Sequence, residues 1–356
     1  MRKEAILKLI KNLLFFIGLI FLTFYILFKN QDMNQLKKVI ESADKKYIII
    51  GIFFMLLYYI TEAHNVRFIL KALGDKKISI FKALKFTFIG FFFSSITPAA
   101  TGGQPLEIYY MTKEKISGGN AALTLLTEVC GFLISTITFG IVCAIFNPNI
   151  VNGGLFGLFL LGLLMNIILL TTMMISIFSK GLAKKLVNGF IKILTFFKVK
   201  NLDYKKQRIQ EGLDTYSESS KFIKTHKKEF IKSIIRVFVQ IAFYYSIPYF
   251  VVKSFGINSY SFIEIFSKQA ILYITVSSLP LPGAIGVSET VFLKIYGPVF
   301  KNKLLNGAML LNRVITFYLY VVISLIVVVI NAIKMKDKKG EIDEKVISYD
   351  LENSRL

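Results

Sequence analysis

The chain has 356 residues, 54% of them hydrophobic, with 34 Phe, no Trp and a mean hydropathy of +0.59. Apolar runs recur from one end to the other, which excludes a soluble globular domain and predicts a polytopic membrane protein. The formal charge of +22 would suit a nucleic-acid partner in a soluble chain, but in a membrane protein an excess of Lys and Arg marks cytoplasmic loops.

A bilayer core needs about 20 apolar residues of helix. In chain order, full spans are predicted at 9–28, 47–70, 119–146, 154–178, 230–253 and 303–333. The first lacks a small-residue cleavage site and reads as a retained span. Two further apolar regions, 78–110 and 259–299, are each broken near the middle by Pro and Gly. Cys130 and Cys143 fall in one apolar segment, so neither a disulfide framework nor a metal cluster is expected. The loop 180–232 carries 14 basic and 5 acidic residues. It mixes Lys with Phe, Ile and Leu, as a helix lying against anionic lipid would. Residues 1–335 form one membrane domain, and 336–356 are expected to be a disordered cytoplasmic tail.

With the N-terminus inside, cytoplasmic segments hold 29 Lys and Arg against 8 outside. The positive-inside rule supports that threading, with both termini cytoplasmic and the chain in the plasma membrane. It requires each broken region to enter and leave on one side. Hairpin 1 (78–110) then dips in from the cytoplasm and hairpin 2 (259–299) from outside. Their tips are "TPAATGGQPLE" (97–107) and "PLPGAIGVSE" (280–289). A shift of 182 residues places Pro98 on Pro280, Gly102 on Ala284 and Glu107 on Glu289. Non-helical backbone at membrane depth needs cover from protein or a wet cavity. Two such tips entering from opposite sides fit an inverted repeat of the kind found in transporters. The expected fold is an all-α polytopic membrane protein, with about six full spans plus two re-entrant helical hairpins. Half-helix N-termini at the tips could hold an anion. The structural alternative is that the prolines kink and the glycines pack.

These two tips resemble the paired signatures of the lysylphosphatidylglycerol synthase membrane region, the flippase-like part of the multiple peptide resistance factor. The resemblance spans about residues 10 to 335. It implies a helical domain that moves anionic or aminoacylated phospholipids between leaflets, linked to cationic-peptide resistance. Full-length members carry a soluble acyltransferase domain that lysylates phosphatidylglycerol from charged tRNA. Only about 23 residues follow the last span here, so that domain is not expected.

Ionisable residues inside a membrane are costly and are site candidates by default. Thr97, Thr101, Gly102, Gly103, Gln104 and Glu107 at the first tip are candidates for headgroup contact. Gly283, Gly286, Ser288 and Glu289 are their counterparts at the second, together with Arg313. Glu107 and Glu289 could equally cap their helices. The family pattern reads Glu-Arg where this chain has Glu128 and Val129, so Glu128 lacks its local partner and a Glu128–Arg313 pair is expected. His64 and Arg67 share a helix face near the interface, for snorkelling or headgroup capture. No catalytic residue, metal site or cofactor is expected, since "HExxH", Walker A and "GxGxxG" patterns are absent from the sequence. The expected partners are membrane phospholipids, with a separate synthase polypeptide or a second copy as further candidates, and no nucleic acid. The competing functions are a lysyltransferase in the family's named sense and a non-transporting envelope scaffold.

Overall fold

A computed structural model describes residues 33–75, 77–97, 102–151, 153–178, 226–277, 287–300 and 302–331, with a few single positions within 179–225. The described elements are helical. In order they are α1 (Met33–Glu41), α2 (Lys45–Ala72), α3 (Ile80–Ser95), α4 (Gly103–Lys113), α5 (Gly118–Phe146) and α6 (Gly154–Phe178), then α7 (Lys227–Ser254), α8 (Phe262–Val276), α9 (Val287–Tyr296) and α10 (Asn302–Arg313). Past Arg313, α10 passes through a π-helical turn, Val314–Tyr318, and continues as helix to residue 331.

Among the described residues five helices are long and apolar enough to cross a membrane: Lys45–Ala72, Gly118–Phe146, Gly154–Ile175, Lys227–Ser254 and Leu304–Asn331. They match five of the six predicted spans. The sixth, 9–28, lies outside the described residues, as do most of the loop 180–232 and the tail 336–356. The outward faces are apolar: on α6, Phe156, Leu161, Leu164 and Ile168 are all exposed. In water such a surface would be a liability, whereas lipid solvates it.

The two broken regions form helix pairs. Their arms of 16 and 11, and of 15 and 10 residues reach about 15–24 Å at 1.5 Å per residue, short of a ~30 Å hydrocarbon core. In hairpin 1 the arms run antiparallel. A Cβ on Gly103 would meet Ser94, and one on Gly90 would meet Glu107. Further from the tip, Glu114 bridges Lys82 at 2.8 Å and Lys85 at 2.5 Å. In hairpin 2, Tyr296 Oη donates to Ile265 O and Tyr260 Oη to Pro298 O. Each pair therefore returns to the side it left.

The two halves repeat. Lys45 to Lys227 and Ile80 to Phe262 are both steps of 182 residues. The same step relates the N-caps Ser79 and Ser261, whose hydroxyls accept from the backbone of Lys82 and Glu264 at 3.2 Å. It also relates Gly74 and Gly256, which leave α2 and α7 with φ of +100° and +72°, a turn that favours glycine. The equivalent helices α2 and α7 pack antiparallel. Asp44 N–H donates to Ser254 O at 2.8 Å, and the Phe54 and Phe250 rings lie 4.6 Å apart. At the other end Asn65 Nδ2 donates to Ser233 Oγ at 3.0 Å. Equivalent helices that run in opposite directions make the repeat an inverted one.

Candidate functional site

Between the hairpins lies a cavity of about 660 Å³. Hairpin 1 supplies Gly90, Ser94, Ser95, Gln104 and Glu107 to its wall, and hairpin 2 supplies Tyr273, Ser277 and Ser288. Glu62 enters from α2, Glu128 from α5 and Arg313 from α10. Aromatic side chains complete the lining, among them Tyr58, Tyr59, Phe132 and Tyr244. The composition is that of a ligand site: mostly apolar, with a few convergent polar groups.

Arg313 is held from one side. Its Nε donates to Glu289 Oε1 at 2.6 Å, and its Nη2 donates to Ser288 Oγ. The Ser288 hydroxyl in turn donates to Glu289 Oε2 at 2.9 Å. The guanidinium also lies 5.3 Å from the centre of the Phe317 ring, a cation–π distance. The expected Glu128–Arg313 pair is therefore incorrect. Glu289, in the first turn of α9, faces the last turn of α10 and takes the guanidinium. The π-helical turn begins at the next residue, and such turns are frequent at functional sites.

The opposite wall is acidic. Glu107 is 6% exposed and its Oε1 has no hydrogen-bond partner. It lies beyond the first turn of α4, so it does not cap that helix. Glu128 Oε1 also lacks a partner, and Glu62 Oε2 accepts from Gln240 Nε2 at 3.1 Å. The step of 182 that links Glu107 to Glu289 carries Arg313 back to Gly131. The first half has no arginine at that position.

The other predicted residues divide. Gln104 reaches the cavity. Gly102 N–H is not free for an anion, because it donates to Thr97 Oγ1 at 2.9 Å, and that hydroxyl donates to Phe93 O. Gly102 and Gly103 are packing positions, since a Cβ on either would strike Thr97 or Ser94. Arg67 Nε donates to Ile78 O at 2.8 Å, tying α2 to the start of hairpin 1. His64 is exposed and outside the cavity wall. Thr101, Gly283 and Gly286 lie outside the described residues. Among the described residues no three His, Cys, Asp or Glu side chains are grouped to hold a metal ion.

Glu62, Gly90 and Tyr59 were not among the predicted lipid contacts. Glu62 carried a signal, an ionisable residue well inside an apolar helix, of the kind that singled out Glu128. Gly90 offered none, because its role depends on which helix lies opposite.

Comparison with known sequences gives the lineage. The family model described as "Lysylphosphatidylglycerol synthase TM region" matches residues 9–324. The chain belongs to this family. It is also 22% identical, over 326 residues, to a "UPF0104 membrane protein" of Archaeoglobus fulgidus, covering 89% of this chain and 96% of that one. Family membership and the five apolar helices make this a membrane protein of the lysylphosphatidylglycerol synthase TM-region type.

Proposed function

We propose that this protein is a phospholipid flippase of the cell membrane, moving a lipid headgroup between leaflets through the cavity between its hairpins, with both termini cytoplasmic. One observation carries the reading: two oppositely oriented hairpins and a partly buried arginine all line one cavity. Inverted-repeat transporters place the substrate at such an interface and expose it to each side by rocking one half against the other. The lining favours an aminoacylated headgroup over a plain anionic one. Arg313 is already committed to Glu289, whereas Glu107 and Glu128 offer unpartnered oxygens that an ammonium could meet.

The test is reconstitution into vesicles carrying fluorescent phosphatidylglycerol or its aminoacylated form, with leaflet exposure followed by a membrane-impermeant quencher. The aminoacylated lipid should cross faster than in protein-free vesicles. Rates indistinguishable from protein-free vesicles for both lipids would sink the flippase reading.

A further inference from the structure

Among the described residues the cavity is lined by three carboxylates, Glu62, Glu107 and Glu128, and by one cation, Arg313, which Glu289 already neutralises. The three come from three different helices and are within electrostatic reach of one another. Gln240 supplies one hydrogen bond to Glu62, but Glu107 Oε1 and Glu128 Oε1 receive none. An independent group points at the same space. Tyr59, one turn before Glu62 on the same face of α2, lines the cavity, is 1% exposed, and its hydroxyl has no partner. A buried hydroxyl without a partner costs on the order of 1–3 kcal/mol unless something occupies the space beside it.

Three like charges in one membrane cavity are not sustainable. Each uncompensated ion costs several kcal/mol, and a buried group without a counter-ion is neutralised instead. A chelated metal ion does not fit, because these carboxylates are not grouped at ligating geometry. Protons do fit, since each oxygen can take its own. The remaining titratable groups facing the cluster are the hydroxyls of Tyr58 and Tyr59 on α2, Tyr244 on α7 and Tyr273 on α8, with the paired Arg313 on α10.

We propose that Glu62, Glu107 and Glu128 form a proton-binding site whose protons exchange with the headgroup cation. This rests on the flippase reading for its substrate. When an ammonium group enters, the O–H bond of one carboxylic acid breaks and the proton leaves to water. The carboxylate keeps the electron pair and pairs with the ammonium. Departure of the headgroup reverses the step, so lipid passage in one direction moves a proton in the other.

Two measurements on the full-length protein in lipid vesicles test this separately. Infrared spectroscopy should show carboxylic-acid C=O bands that shift in D₂O, with a band lost in each of Glu62→Gln, Glu107→Gln and Glu128→Gln. No such band in the wild type would overturn the site whatever the lipid does. In the second, an imposed pH gradient should accelerate flipping of the aminoacylated lipid, with proton release detected by a trapped pH dye, and Glu107→Gln should lose that response. Lipid that flips at one rate with or without the gradient would overturn the exchange while leaving the flippase intact. Immobile lipid with the bands present would retire the transport reading and support the proton site alone.

Discussion

Removing one partner of the Arg313–Glu289 pair is the sharpest test of the cavity's electrostatics. The side chains are 12% and 2% exposed, so water does little to screen either charge. Glu289→Ala removes the carboxylate that pairs with the guanidinium, and breaking such a pair costs about 3–5 kcal/mol. Arg313→Met strands Glu289 and should cost a similar amount. The double variant Glu289→Leu/Arg313→Met strands nothing and should recover most of the loss, because buried pairs often contribute little net stability over an apolar replacement. Reversible unfolding by graded addition of SDS to protein in mixed micelles reads all three. Glu128→Gln belongs in the same series, and it should couple to Arg313 only weakly. If the double variant lost the full sum of the single losses while Glu128→Gln coupled strongly to Arg313→Met, the pairing described here would be wrong and the Glu128–Arg313 pair expected from the sequence would be restored.

Three other outcomes follow from the packing and the loops. Gly103→Ala places a methyl 2.7 Å from the Gly90 carbonyl and should destabilise hairpin 1 by about 1–3 kcal/mol in the same assay. Gly90→Ala meets the Glu107 side chain first, its carboxylate end nearest, and the roughly 1 kcal/mol gained in helix propensity offsets the strain of displacing that end. It should therefore melt normally yet flip lipid more slowly, and a large melting loss would contradict this. Glu114, beyond the end of α4, is raised by partial burial, but the ammoniums of Lys82 and Lys85 outweigh that and hold its carboxyl at about 2 against an ordinary 4.5. A lowered native value means stability that is complete above pH 4.5 and lost as pH falls toward 2. Protection of α4 from hydrogen exchange, taken relative to the intrinsic rate at each pH, should fall over that window in the wild type and not in Glu114→Gln, each of the two lysine bridges contributing about 0.2–1 kcal/mol.

Five of the six spans, and the hairpins, were legible because hydropathy and proline report on the environment of one segment at a time. Even the inverted repeat was visible as a step of 182 residues between "TPAATGGQPLE" and "PLPGAIGVSE", and the matched caps Ser79 and Ser261 extend it. What escaped was relational. Arg313 could have met Glu128 or Glu289 as far as charge goes, and the rotation of α10 relative to α9 decided between them. Gly102 and Gly103 fitted a headgroup cradle in sequence, yet the neighbour across the hairpin turned them into packing contacts. Such choices depend on the surface that each helix meets, which no single segment encodes.

The halves share a scaffold but not a charge pattern, and the scaffold itself enforces the difference. Glu107 and Glu289 are equivalent, so a symmetric protein would pair each with an arginine. The position matching Arg313 is Gly131, and a Cβ there would already lie 2.9 Å from Val237 on α7. An arginine cannot be accommodated at that crossing without separating α5 from α7. Close helix contact through a small residue, a common way of joining membrane helices, thus removes the counter-ion from the first half. One wall of the cavity is left fixed by Arg313 and Glu289. The other keeps carboxylates whose charge must be balanced by something that comes and goes. On the flippase reading proposed above, that asymmetry divides the labour: the Arg313–Glu289 wall keeps its charge balanced from within, and the carboxylate wall exchanges its balancing charge with the lipid.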